Sequence, residues 1–223
     1  FAIQLGDTCF IEKRFADSVW KWTTQTKPAN VYAYKYSDLN MIILAKWVEY
    51  LTNMPIDSFV DEQFYKPMGL TKITYLPIKK GLKQWILPTG IDTIWPRGTI
   101  RGIVHDPSAA LLGGISGNAG LFGNSRDLAK IMQMLLDEGE FHDKQYISAS
   151  TVKLFTKTHY NKLYPTNYRG LGFDKPNGYP NHLKSDVGNH EHYTASNIFD
   201  NAPETLFGHS GFTGNWAWAD TDN

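Results

Sequence analysis

Apolar residues recur at helical spacing early in the chain, and strand-like alternation arrives only near its end. A sequence ordered this way, with no repeating strand-helix alternation, favours an α+β layout over a doubly wound sheet. The clearest early segment starts at Ser37. Leu39, Ile42, Ile43, Trp47 and Leu51 lie three or four apart, Ser37 can cap the first turn, and Asn53 and Pro55 close the segment. Those five side chains predict one buried face. A short helix is expected around 15–22, and another over 56–65 that buries Phe59, Val60 and Phe64 before Pro67 and Gly69 stop it. A fourth, capped by Asn124 or Ser125, presents Leu128, Ile131, Met132, Leu135 and Leu136 and ends at Gly139. Residues 148–155 read as one more.

Between the second and third of the longer helices, residues 77–124 are rich in proline and glycine and lack a helical period. Trp85, Ile86, Leu87, Ile91, Ile94 and Trp95 in that stretch call for burial, so it reads as an ordered excursion. Strands are expected at 168–173 and 214–220, the second with Trp216 and Trp218 on one face and Ala217 and Ala219 on the other. A polar loop joins them over 174–205. Two strands do not make a stable sheet, so further strands must lie within 1–35 and 70–104 or outside the chain.

Twenty-two basic residues cancel twenty-two acidic ones, so no global field points to nucleic acid or to an anionic membrane surface. The longest aliphatic run, Met41 to Ala45, is far short of the ~20 residues that span a bilayer. Cys9 is the sole cysteine, which excludes an intrachain disulfide and a cysteine-based zinc site. The chain begins at Phe1 without a leader and stops just after a strand, so it reads as an interior piece of a longer protein.

Three stretches carry candidate chemistry. Tyr36-Ser37-Asp38 stands at the entrance of the strongest helix. A phenol there lies near the positive helix end, which suits it to proton transfer, or it merely anchors the helix start. His209-Ser210-Gly211-Phe212-Thr213-Gly214 precedes the tryptophan strand; its small residues let a ligand approach closely and expose backbone N–H groups to a developing oxyanion, or it is a glycine-rich strand entry. His105-Asp106-Pro107 is followed by the glycine-rich segment 113–120, which lacks the Gly-Lys-Ser/Thr of a phosphate cradle and reads as a tightly packed wall. Neither Ser116 nor Ser210 completes a Gly-x-Ser-x-Gly elbow, because Asn118 and Phe212 occupy the fifth place. His182, His190 and His192 crowd a loop with Asp186 and Glu191, but their spacing does not make a metal site.

Taken in order, these stretches resemble the serine beta-lactamase family in its broad sense, which includes penicillin-binding proteins, D-alanyl carboxypeptidases and related esterases. Further matches are Phe64-Tyr65-Lys66-Pro67-Met68-Gly69-Leu70, Leu112-Gly113-Gly114 and Ala119-Gly120-Leu121-Phe122. The resemblance covers about residues 30–220 and is greatest to the bacterial branch fused behind family 3 glycoside hydrolase domains in cell-envelope proteins. It implies an antiparallel sheet packed by helices plus an all-helical region, incomplete here, over one partial domain, 1–223. It also implies acyl-enzyme chemistry on a small-molecule or peptidoglycan-derived ester or amide, a periplasmic or envelope location, and no cofactor or metal. Tyr36 takes the place of the general base or proton relay. His209, Ser210 and Gly211 take the substrate-lining strand, and the Phe212 N–H that of the second oxyanion donor. Asp38 stands where the family usually has asparagine. A carboxylate accepts but cannot donate, so its expected partner shifts from a substrate carbonyl toward the lysine beside the nucleophile.

That nucleophile is a serine at a helix start with a lysine one turn later, close enough for a desolvated amine to take the hydroxyl proton. Ser18 with Lys21 and Ser150 with Lys153 fit the spacing, but about 0.8 such matches arise by chance in a chain of this composition. Both read as decoys, with the working pair outside the chain. The piece alone is therefore expected to be inactive and to expose open strand edges. The competing reading is a non-catalytic binding or scaffolding module that keeps the fold, to which Asp38 and the missing nucleophile point.

Overall fold

The computed structural model describes residues 2–27, 36–159, 169–176 and 202–222. They fall into two compact units, one running to Asp127 and the other beginning at Leu128.

In the first unit, β1 (Ala2–Gln4) and β2 (Phe10–Glu12) form an antiparallel hairpin with Ile3 opposite Ile11. Both isoleucines pack on a core of Leu5, Val104, Ala109 and Ala110, joined by Trp95 and Leu111. The short helix expected near 15–22 is present as α1 (Arg14–Gln25), longer than the sequence indicated, and buries Val19 and Thr23. Helix α2 (Leu39–Thr52) also lies where its spacing placed it. Ser37 Oγ accepts from the Leu39 N–H at 3.2 Å, and Asn53 ends the helix in the left-handed region at φ 51°. Next, α3 (Ile56–Val60) passes into a π turn over Asp61–Tyr65; Gly69, at φ +64°, and the Leu70 N–H bonded to the Tyr65 carbonyl stop it.

The buried face of α2 differs from expectation. Ile42 and Ala45 are buried, whereas Ile43, Leu44, Trp47, Tyr50 and Leu51 are exposed. The helix is apolar nearly all round, so spacing could not show which side the fold covers. The excursion likewise leaves Trp85, Leu87, Ile91 and Ile94 exposed instead of burying them; only Trp95 reaches the core. Ile94 is 90% exposed. So much uncovered apolar surface predicts that the 223-residue chain, expressed by itself, binds hydrophobic dyes and aggregates on heating. Cooperative, reversible thermal unfolding above ~60 °C would contradict this.

The excursion contains the strands that the sequence did not reveal. Antiparallel pairs join β3 (Thr74–Tyr75) to β6 (Leu121–Phe122) and β4 (Gly90–Asp92) to β5 (Gly98–Ile100). Strands of two or three residues are too short to display alternation. Between them, the Arg97 guanidinium is 2% exposed and pairs with Asp92 at 2.5 Å. It also donates to the Val104 carbonyl at 3.3 Å and the His105 carbonyl at 2.8 Å. This fork fixes the backbone that leads into α4 (Pro107–Leu111).

Helix α5 (Ser125–Leu136) carries the chain into the second unit. Asn124 Oδ1 accepts the Asp127 N–H at 2.8 Å, which settles the cap on Asn124. Met134 is fully buried, while the expected stripe of Leu128, Ile131, Met132, Leu135 and Leu136 is only half-buried. The hairpin β7 (Glu140–Phe141) and β8 (Lys144–Gln145) leads to α6 (Ala149–Thr156), capped by Ser148 through the Thr151 N–H at 3.2 Å. The hairpin β9 (Leu206–Ser210) and β10 (Trp216–Asp220) follows, with Phe207 fully buried and in edge contact with Phe173.

The expected strand at 168–173 is instead a tight turn among its described residues. Arg169 and Asp174 form an isolated bridge across it, and Asp174 in turn bridges Gly208. Every strand pair among the described residues is antiparallel, in keeping with an α+β layout, but the pairs stand as five separate two-stranded units rather than one sheet. No described helix is long and apolar enough to cross a membrane. His182, Asp186, His190, Glu191 and His192 lie outside the described residues.

Candidate active site

Tyr36, 39% exposed, directly precedes the turn into α2. Asp38 occupies the N-cap position of α2, but its carboxyl makes no capping bond; Ser37 Oγ takes the Leu39 N–H. The Asn118 side chain and the Asp106 carboxylate are the electrostatic neighbours of the Asp38 carboxyl. Asp106 caps α4, with Pro107 in the first turn. Its Oδ1 accepts from the Ala109 N–H at 2.7 Å, the Ser108 hydroxyl at 2.6 Å and Asn118 Nδ2 at 3.1 Å. Asn118 Oδ1 accepts from the buried Ser116 hydroxyl at 2.7 Å. Asn118 Nδ2 also reaches the Ser108 hydroxyl at 3.4 Å, so the amide is tied to the first turn of α4.

The glycine-rich segment lies hard against α2. A Cβ at Gly117 would meet the Met41 carbonyl oxygen at 2.0 Å and the Ala45 Cβ at 2.9 Å, so only glycine fits there. Gly120, at φ +108°, leaves a Cβ 2.4 Å from the Gly114 carbonyl oxygen. The Tyr75 hydroxyl donates to the Ser116 carbonyl at 3.0 Å. Burial, reinforced by the Asp57 charge, pushes that phenol up to about 12, which makes Tyr75 an anchor rather than a proton carrier. The segment is a packed wall, as the sequence suggested.

Burial first, and the Asp106 carboxylate second, raise the Asp38 pKa above the ordinary 3.8, while the Asn118 hydrogen bond opposes them. An acid whose folded value is raised weakens the fold as pH climbs from its unfolded value through the folded one. Asp38→Asn keeps the shape of the side chain and removes the charge. It is expected to stabilise the fold at pH 7, by no more than ~1 kcal/mol because the carboxyl is partly solvated, and to give no gain below pH ~3. Thermal melts across that range check it.

In the second unit His209 and Ser210 lie on β9 itself, and Gly211–Asn215 forms the hairpin turn, closed by Gly211 N–H to the Asn215 carbonyl at 2.7 Å. The sequence reading had this stretch as an entry to one strand. His209 Nδ1 donates to the Ser210 carbonyl at 2.6 Å, and Nε2 faces Asp174 Oδ2 at 4.0 Å. Asp174 is buried, ion-paired to Arg169, and tied to Gly208 by N–H···O bonds of 2.7 and 3.1 Å. Phe212 is 89% exposed at the hairpin tip. Lys175, next in sequence to Asp174, is also buried; desolvation pulls its amine down, against the Glu204 and Asp220 charges.

Sequence reasoning missed Asn118 as a partner of Asp106, and it missed Asp174, paired to Arg169, beside His209. Asp106 was recoverable, since Asp-Pro marks a helix start. The Asn118 contact joins the glycine-rich segment to the start of α4 and left no periodic signal.

Neither Ser-x-x-Lys pair looks like a nucleophile. Ser18 sits within α1 and Lys21 is exposed. Ser150 is exposed, and Lys153 is held by Glu138 at 2.7 Å with its side chain 65% exposed, a solvated ion pair rather than a desolvated amine. No group of three or more His, Cys, Asp and Glu among the described residues is placed to hold a metal.

The structure is similar to a penicillin-binding protein homologue from Caulobacter crescentus, with TM-score 0.62 and 17% identity over 98% of this chain and 59% of that one. It is also similar to the octameric penicillin-binding protein homologue from Pyrococcus abyssi, with TM-score 0.59 and 15% identity over 98% of this chain and 44% of that one. At these identities the likeness concerns the fold, which is therefore beta-lactamase- and transpeptidase-like. In sequence the chain is 40% identical to the Escherichia coli K12 protein named "Putative D-alanyl-D-alanine carboxypeptidase", over 54% of this chain and 31% of the relative. It is 33% identical to the "N-acetylmuramyl-L-alanine amidase" of Bacillus subtilis, over 54% of this chain and 30% of the relative. The match spans less than a third of the length of these curated relatives. The Beta-lactamase family model matches residues 13–223, and the chain belongs to that family.

Proposed function

We propose that residues 1–223 form part of a serine hydrolase that cleaves a small-molecule or peptidoglycan-derived ester or amide through an acyl-enzyme, with the nucleophilic serine supplied by residues outside them. The observation that carries this reading is the entrance of α2, where Tyr36 and Asp38 open the helix while the Gly117 wall packs against its backbone at Met41. The names of the two relatives support an amide at an alanyl residue as substrate, in the cell envelope. A glycoside hydrolase domain in the same protein fits that setting.

In this mechanism the serine hydroxyl loses its proton to the lysine-tyrosine pair, with Tyr36 as proton relay and Asp38 accepting from the lysine. The serine oxygen attacks the carbonyl carbon. The N–H groups of the nucleophile and of Phe212 hold the resulting oxyanion, and His209, Ser210 and Gly211 line the substrate. Collapse expels the amine or alcohol, which takes the proton back through Tyr36, and water then frees the acid by the same route.

A fluorophosphonate or penicillin probe tests this. The full protein should be labelled on a serine outside these residues, and the 223-residue chain should stay unlabelled. Label on Ser18 or Ser150 would refute the assignment of the nucleophile. A full protein that neither reacts nor hydrolyses esters or peptides would favour the non-catalytic module, the reading that Asp38 in place of asparagine supports.

A further inference from the structure

We propose that Asp174 is a positioning residue of this site, setting the orientation of the His209 ring on the substrate-lining strand β9. The inference rests on the acyl-transfer reading above, in which His209 lines the substrate, and extends it to a residue that touches none of the reacting atoms.

The backbone under His209 is held from two sides. Across the hairpin it pairs with Ala217, and a Cβ at the preceding Gly208 would come 2.2 Å from the Ala217 carbonyl oxygen, so the two strands press together there. On the other edge of β9, the Asp174 N–H donates to the Gly208 carbonyl at 2.7 Å and the Gly208 N–H to the Asp174 carbonyl at 3.1 Å. Phe173 and Phe207, the residues next to that bridge, meet edge to face at 5.4 Å. The Asp174 side chain therefore starts from a fixed point beside the strand.

The ring itself has two contacts. Nδ1 lies 2.6 Å from the Ser210 carbonyl. A carbonyl only accepts, so Nδ1 carries the proton, and in the neutral ring Nε2 is the bare nitrogen. Nε2 faces Asp174 Oδ2 at 4.0 Å. That is too long for a hydrogen bond, yet close enough for the carboxylate to serve as counter-charge when a proton reaches Nε2. Turning the ring over would set carbon atoms against both the Ser210 carbonyl and the carboxylate.

Arg169 explains how a carboxylate can stand there. Asp174 is buried, and a buried charge without a cation would take up a proton or turn out to water. Arg169 supplies the cation by pairing with Oδ1 across the turn. An anchor for the turn needs only that oxygen. The placement of Oδ2 against a ring on the substrate-lining strand is what assigns Asp174 its second role.

Two measurements on the full protein test the proposal. In the first, NMR follows the ring nitrogens of His209. The neutral ring should carry its proton on Nδ1, and exchange of that proton with solvent should quicken at least ~5-fold in Asp174→Asn, with Asp174→Glu restoring part of the protection. A proton on Nε2 in the neutral wild-type ring would overturn the proposal without any variant having to fold, and so would an exchange rate that Asp174→Asn leaves unchanged. In the second, acylation by a penicillin probe should slow at least ~5-fold in Asp174→Asn, whereas the same substitution added to His209→Gln should change the rate by less than ~2-fold. Equal losses in both backgrounds would show that Asp174 acts on the fold and not through the ring, and would overturn the positioning role. A wild type that never acylates overturns the hydrolase reading instead, and the ring measurement still decides the contact between Asp174 and His209.

Discussion

Tyr36→Phe in the full protein is expected to lower kcat/KM by about 10²–10⁴-fold, the usual contribution of a positioned proton-transfer group. The substitution deletes one hydroxyl from a side chain that is only partly covered, so packing around α2 should survive and Tm should change by less than ~2 °C. The loss should fall on kcat, because the phenol acts as protons move and contributes little to ground-state binding. Tyr75→Phe is the matched control. Its phenol is buried and bonded to the Ser116 carbonyl, so its loss should lower stability by ~1 kcal/mol and leave the chemistry nearly intact. Steady-state kinetics with thermal melts on both variants separate the two roles. A loss below about 3-fold in Tyr36→Phe would remove the residue from the mechanism.

The second large effect is structural. Arg97→Ala removes the cation from a pair whose side chains are 2% and 10% exposed, and leaves Asp92 and the carbonyls of Val104 and His105 without their donor. Breaking a buried pair in this way costs about 3–5 kcal/mol. At ~2–4 °C per kcal/mol for a domain of this size, Tm should fall by about 6–20 °C in the full protein. Arg97→Lys should recover only part, since one ammonium cannot reproduce the fork. Activity should fall with stability, because the tethered carbonyls lie immediately before Asp106. A Tm change under ~2 °C would show that the pair is dispensable.

Local signals were legible in the sequence. Ser37, Asn53 and Pro55 bound α2, Asn124 and Gly139 bracket α5, and Ser148 caps α6, because caps and stops act within one turn. Long-range facts were not. Ile43, Trp47 and Leu51 looked as buried as Ile42 because a helix apolar on all sides carries no mark of which side its neighbours cover. The strands at 74–75, 90–92, 98–100 and 121–122 are too short to alternate visibly. In the candidate site, Tyr36, Asp38 and His209 were identified through motif resemblance. Asn118 bonded to Asp106, and Asp174 facing His209, were not, because a contact between separate segments leaves no periodicity behind.

The most direct measurement is a crystal structure of the full protein trapped as its acyl-enzyme. The account predicts an acylated serine from outside these residues, with the Tyr36 hydroxyl and the Phe212 N–H each about 3 Å from the reacting group and His209 lining the same cleft. A Tyr36 hydroxyl more than about 15 Å from the His209 ring would contradict it, since one carbonyl carbon cannot reach both.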